Sequence, residues 1–255
     1  VYVRPTLPEL SFTDPDGNPI PYGARWGTSG PPERTYSLTR HPERFAPIID
    51  VARALAEHLE RTYDVDVHLT EGLPDDAPDA LRRYEHGQVR IARAVTLVPR
   101  HHLSAPLVIA ETTFPSVVVA MGAAGLESSP PCGCDACDED LTYCAEELEH
   151  LVFAVVEGRY QERYSWSEGI EISMVGEWGA RASTTPRHAA TKEDLEAVKL
   201  SQRERHGARW MPWPPRRDDA VVAEAPAAGR ARTRAEREAA IEQALERIKK
   251  RLRSA

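Results

Sequence analysis

Leu107-Val-Ile-Ala-Glu-Thr-Thr-Phe-Pro-Ser-Val-Val-Val-Ala-Met121 holds two β-branched runs separated by Pro115-Ser116. β-Branched side chains are stiff at χ1 and suit a pleated strand, and Pro-Ser between two such runs is turn chemistry. The stretch reads as a hairpin of strands 107–114 and 117–121. Just upstream, Val89, Ile91, Val95 and Leu97 recur with strand spacing, so 89–98 is a third strand. Links this short leave no room for a crossover helix, so the three must pair as sequential antiparallel neighbours.

Working outward, Ile48, Val51, Ala52, Leu55 and Leu59 recur at three- and four-residue steps. They predict an amphipathic helix from Pro47 to about Arg61, with Pro47 near its first turn. Val65, Val67 and Leu69 alternate with Asp66 and His68 in a short strand, and a weaker helix runs from Pro78 to Glu85, stopped at Gly87. On the other side, Leu148, Leu151, Val152, Val155 and Val156 define a helix face between about Leu141 and Tyr164. Ile170, Ile172 and Met174 mark a strand, and Thr191 is the N-cap of a charged helix ending near Gly207. The expected fold is α+β: a mainly antiparallel sheet, helices packed chiefly on one face, and a cysteine-rich loop joining the sheet to the long helix.

Four regions emerge. Residues 1–40, broken by Pro5, Pro8, Pro15, Pro19, Pro21, Pro31 and Pro32, form an extended arm with apolar anchors at Leu7, Leu10, Phe12, Ile20, Tyr22 and Trp26. Residues 41–215 form the domain, with its cysteine loop at 130–144; Trp26, Trp210 and Trp213 with their prolines read as aromatic plugs at its edge, or as the lining of a groove for a peptide or sugar. Residues 216–230 read as a linker, and 231–255 as a basic amphipathic helix. That helix opens on the capping box Thr233-x-x-Glu236 and carries the stripe Ile241, Leu245, Ile248, Leu252, a surface for a protein partner.

Charge is unevenly spread. Residues 230–255 carry nine Lys/Arg against four Glu, so the net −8 of the 255-residue chain divides into about +5 there and −13 elsewhere. An acidic body disfavours nucleic acid, since phosphate contacts need a basic face. No run of about 18 apolar residues would span a membrane, and the first residues lack the order of a signal peptide. A cytoplasmic location with reduced thiols is the expectation.

All four cysteines fall within thirteen residues, Cys132-Gly-Cys134-Asp-Ala-Cys137 and then Cys144. Thiols clustered in one hydrophilic loop are ligands for a soft metal, and Cys-x-x-Cys is the usual chelating turn of a zinc site. Cys132, Cys134 and Cys137 supply three ligands. The fourth is Cys144, or an imidazole such as His101, His102, His68 or His150. Zinc is the expected ion, with iron–sulfur ligation using the same residues. The flanking Asp135, Asp138, Glu139 and Asp140 are electronegative, which argues against a reactive low-pKa thiol.

Other candidates are weaker. Glu111 sits in an apolar strand, on its wet face or as a buried functional acid. Gly122-Ala-Ala-Gly125 is too generic for a phosphate loop, and Walker, Rossmann, GxSxG, HExxH and kinase signatures are absent. The functional expectation is a small binding or regulatory protein with a structural metal and no catalysis. Two alternatives stand beside it: a metal-assisted hydrolase or thiol redox enzyme using these cysteines, and a metal-free interaction module.

Several strings carry a resemblance: Pro19-Ile-Pro-Tyr-Gly-Ala-Arg-Trp26, Tyr36-Ser37, His41-Pro-Glu-Arg-Phe-Ala-Pro47, Phe114-Pro115, Cys132-Gly-Cys-Asp-Ala-Cys-Asp-Glu139 and Gly207-Ala-Arg-Trp-Met-Pro-Trp213. Together they resemble a family of uncharacterised proteins of high-GC actinobacteria, domain of unknown function 6226, over roughly residues 1–215. The resemblance implies the extent of the domain and the importance of the cysteine string. It brings no established activity, and Cys144 lies outside that string.

Overall fold

The computed structural model describes residues 1–85, 89–176 and 179–216. Its arm carries only the two-residue strands β1 (Phe12–Thr13) and β2 (Pro19–Ile20) and one 3-10 turn (Glu33–Ser37), as its prolines require, and a second such turn (Pro42–Phe45) opens the domain. The domain then runs α1 (Ile48–Thr62), β3 (Val65–Glu71), α2 (Asp79–Tyr84), β4 (Ile91–Pro99), β5 (Leu107–Thr112), β6 (Val117–Met121) and β7 (Gly125–Ser129). It continues with α3 (Leu141–Val156), β8 (Tyr160–Ser165), β9 (Gly169–Gly176), β10 (Gly179–Thr185) and α4 (Lys192–Glu204).

The protein is α+β. Its main sheet is a five-stranded antiparallel meander, β3-β4-β5-β6-β7, and β8, β9 and β10 form a second, three-stranded antiparallel sheet. The hairpin read from residues 107–121 is present, with Leu107 opposite Met121 and Ile109 opposite Val119. Every residue of β5 and β6 is buried, because both faces of the sheet are covered. Leu107, Ile109, Val117, Val119 and Met121 face α1 and α3 and meet Ile48, Val51, Leu55, Leu59, Leu148 and Val152. The alternate residues Val108, Ala110, Val118 and Ala120 pack instead with Ala77, Leu81, Ile91 and Ala94 beneath the α2 segment. Two covered faces explain a continuous β-branched run where a half-exposed strand would alternate. Burying each large aliphatic side chain here contributes about 1.5–3 kcal/mol.

One expectation needs correction. The helix predicted from Leu141 to Tyr164 ends at Val156, and its last eight residues are a connection and a strand, β8. Gly158 makes the break: its φ is +69°, and a Cβ there would lie 2.7 Å from the backbone nitrogen of Pro212. The valines before it suit a strand locally but are claimed by the core under α3. The expectation of mainly antiparallel pairing holds, and β7 and β10, absent from the sequence reading, extend the main meander and the second sheet respectively. Gly-Leu-Glu-Ser-Ser and Gly-Ala-Arg-Ala-Ser-Thr-Thr have little β propensity, and backbone pairing to β6 and β9 holds them.

Trp210 and Trp213 are buried in the core. Trp213 donates its Nε1 to the Ala105 carbonyl at 2.9 Å, which plugs the end of β5. The Gly87 stop, the linker beyond Arg216 and the helix over 231–255 lie outside the described residues. Among the described residues no helix is long and apolar enough to cross a membrane.

Candidate metal centre

The cysteine loop leaves β7 and enters α3, so a strand and a helix in the main core fix its two ends. Glu139 folds the loop back on itself, its carboxylate accepting from the backbone nitrogens of Cys132 (3.3 Å) and Gly133 (2.7 Å). Asp140 then accepts from the Tyr143 amide at 2.8 Å and caps α3. The effect is to bring three thiols together. The sulfurs of Cys134 and Cys137 are 3.5 Å apart, and those of Cys132, Cys134 and Cys137 all lie within 4.8 Å of one another. A tetrahedral ion with bonds near 2.3 Å spaces its sulfurs about 3.8 Å apart, between these two values. The donor set fits a soft metal.

The three thiols are not equivalent. Burial works against the Cys134 thiolate, but the Cys137 amide, the neighbouring thiols and the Ala136 amide outweigh it and hold Cys134 below the usual thiol range. Burial and the two neighbouring sulfurs push Cys137 up to about 12. Amide donors aimed at one sulfur stabilise a thiolate before any cation arrives. Cys144 does not join this group. It is fully buried on α3, its carbonyl accepts from the Ser129 hydroxyl at 2.8 Å, and burial pushes its thiol up to about 12.

The acidity of the loop has a different use from the one its sequence suggests. Asp135 and Asp138 are buried and face arginines of the arm. Arg25 donates its backbone nitrogen (2.8 Å) and its Nε (2.5 Å) to Asp138, and its Nη2 to the Asp135 carbonyl. The Arg40 amide donates to Asp135 Oδ1 at 2.9 Å. Arg44, 3% exposed, donates to the Gly133 carbonyl at 3.1 Å while its guanidinium lies 4.2 Å from the Tyr22 ring and 4.1 Å from Phe45. Backbone pairing completes the clasp: Asp135 N donates to Leu38 O (2.7 Å) and Ala136 N to Thr35 O (3.2 Å). Gly23 permits the approach, since a Cβ at its φ of +89° would lie 2.8 Å from Asp140 Oδ2. The strings around Gly23, His41 and Cys132 are thus one structure in space. The expected electronegative loop is electrically matched by Arg25, Arg40 and Arg44.

A model of the family of unknown function DUF6226 matches residues 8–217, most of the chain. The chain belongs to DUF6226. No curated protein and no solved structure matches it. The matched span contains the arm from β1 onward, the clasp and the cysteine loop, so the whole centre lies in the DUF6226 region.

Remaining candidates fall elsewhere in the DUF6226 domain. His101 and His102 are exposed, their rings 5.3 Å apart in the β4–β5 connection, and neither belongs to the sulfur group. His68 on β3 and His150 on α3 are also outside it. Glu111 is not on a wet face: it is 8% exposed beneath α1, and Arg53 grips it with two hydrogen bonds of 2.8 and 2.7 Å. The bidentate ion pair explains the acid structurally.

One polar cluster lies outside the candidates read from the sequence. Glu162 of β8 is 3% exposed and accepts from the amides of Ala123 (2.8 Å) and Ala124 (3.1 Å) and from the Tyr160 hydroxyl (2.9 Å). Burial pushes its carboxyl above the ordinary range, against the pull of those donors and of Arg205. It borders a cleft of about 440 Å³ with Arg163, Gln202 and Arg205. Its hydrogen bonds tie the β6–β7 turn to the second sheet, a structural duty. Alternation of Tyr160, Glu162 and Tyr164 was the available sign, hidden by the helical reading of that stretch.

Proposed function

We propose that this protein is a cytoplasmic binding or regulatory protein without catalysis of its own, in which Cys132, Cys134 and Cys137 hold a structural zinc ion. The supporting observation is the convergence of three sulfurs within 4.8 Å on the loop that also anchors the arm. Zinc prefers thiolate ligands in tetrahedral array, and a structural site contributes directly to folding. The ion then fixes the backbone of residues 132–137, and that backbone presents the carbonyls and amides the arm binds. A dithiol reading has one observation of its own, the 3.5 Å separation of Cys134 and Cys137 in a Cys-x-x-Cys turn.

Elemental analysis of the full chain, purified without a histidine tag or added metal, tests the proposal. About one equivalent of colourless zinc is expected, lost in Cys132→Ser, Cys134→Ser and Cys137→Ser and retained in Cys144→Ser. Metal-free protein that forms a reversible Cys134–Cys137 disulfide would overturn the zinc reading in favour of the redox one.

A further inference from the structure

The zinc reading leaves one tetrahedral vertex to fill, and the residues around the loop do not fill it. Among the described residues the group of converging donors contains three sulfurs and nothing else. The nearby carboxylates are committed: Asp138 to Arg25, Asp135 to the Arg40 amide, and Glu139 to the amides of Cys132 and Gly133. Swinging any of them onto a metal would break the clasp or unfold the loop. Cys144 is sealed in the core and lies outside the group. Beyond the described residues the sequence offers one further soft donor, His86, since residues 217–255 contain no cysteine or histidine. Access favours solvent, because Cys132 and Cys137 are exposed while Cys134 is buried behind them. The site is therefore closed on its protein side and open on its outer side.

Resting on the metal reading, we propose that the fourth position belongs to a ligand from outside the chain, a small monodentate soft donor of the thiol or imidazole class. Three thiolates make the bound ion soft, and sulfur or imidazole nitrogen then outcompetes a carboxylate for the remaining vertex. Structural zinc sites are ordinarily closed, whereas an open position marks a centre that exchanges a ligand. The centre then has two roles. Its inner side braces the arm, and its outer side binds a small molecule.

Cobalt(II) substitution of the full chain tests this, because its sulfur-to-metal charge-transfer band counts thiolates and its visible d–d bands report the fourth ligand. The expected protein shows a three-sulfur charge-transfer band and d–d bands that shift saturably with imidazole or 2-mercaptoethanol. With 2-mercaptoethanol the charge-transfer band should also grow by one sulfur's share. Cys144→Ser and His86→Ala should respond like the parent chain. A four-sulfur spectrum before any addition, a loss of one share in Cys144→Ser, or d–d bands that ignore both probes would overturn the open vertex while leaving the metal site standing. A spectrum altered in His86→Ala would likewise assign the vertex to this chain. No cobalt uptake would remove the metal reading itself.

Discussion

Buried charge is used in two ways, and Glu162 and Arg25 separate them. Glu162 is held by backbone amides in a place where burial favours its neutral form. Its folded pKa lies above the ordinary 4.5, so the proton it binds on folding stabilises the protein below that value. The contribution is lost as pH rises through the raised folded pKa. Glu162→Gln removes this dependence, so urea midpoints should show the parent losing stability relative to the variant as pH rises above about 4.5. A constant difference as pH rises would show that folding leaves the Glu162 pKa unshifted. Arg25 is instead matched by Asp138 and Asp135, and Arg25→Ala should cost about 1.5–3 kcal/mol, the range for hydrogen bonds to charged groups. The same variant should red-shift Trp26 emission, because the indole donates to the Asp135 carbonyl beside it. At this scale the sequence reading named the cysteines by their spacing but not their clasp. Nothing local links Arg25 to Asp138, 113 positions away, or Arg53 to Glu111.

Among the elements, those carried by their own side chains were legible. The β-branched runs of β5 and β6, the apolar stripe of α1 and the Thr191 cap of α4 each announce themselves within a few residues. The elements carried by their neighbours were not. β7 and β10 are edge strands whose ladders supply what their composition lacks, and β8 follows a helix whose valines masked its start. α3 offers a direct test, since its N-terminus is both a helix start and the exit of the cysteine loop. Asp140→Ala removes the hydrogen bond to the Tyr143 amide and should lower stability by about 1 kcal/mol in thermal or urea melts. An unchanged melt would mean that packing of Leu148 and Val152 alone fixes the start of the helix.

For the molecule as a whole, the arm and the centre form one unit if the zinc reading holds. Chelating the metal should loosen the loop backbone that Thr35, Leu38 and Arg44 engage. Trypsin should then cut more rapidly at Arg25, Arg34 or Arg40, while cleavage at Arg93 within β4 stays slow. Equal protection of the arm in both forms would separate the clasp from the ion. Mass mapping of the first fragments distinguishes the two outcomes.

The clasp also has a consequence during synthesis. Arg25 and Trp26 leave the ribosome well before Asp135 and Asp138, 109 to 113 residues later in the chain. At translation rates of 5–20 residues per second, the arm waits roughly 5–20 s for its partner. In that interval Phe12, Tyr22 and Trp26 are sticky aromatic surface on a nascent chain. Proline has no amide hydrogen to give to a neighbouring strand, so an arm carrying Pro15, Pro19, Pro21, Pro31 and Pro32 is a poor template for intermolecular β pairing. The prolines that keep the finished arm extended also act as gatekeepers for the unfinished one.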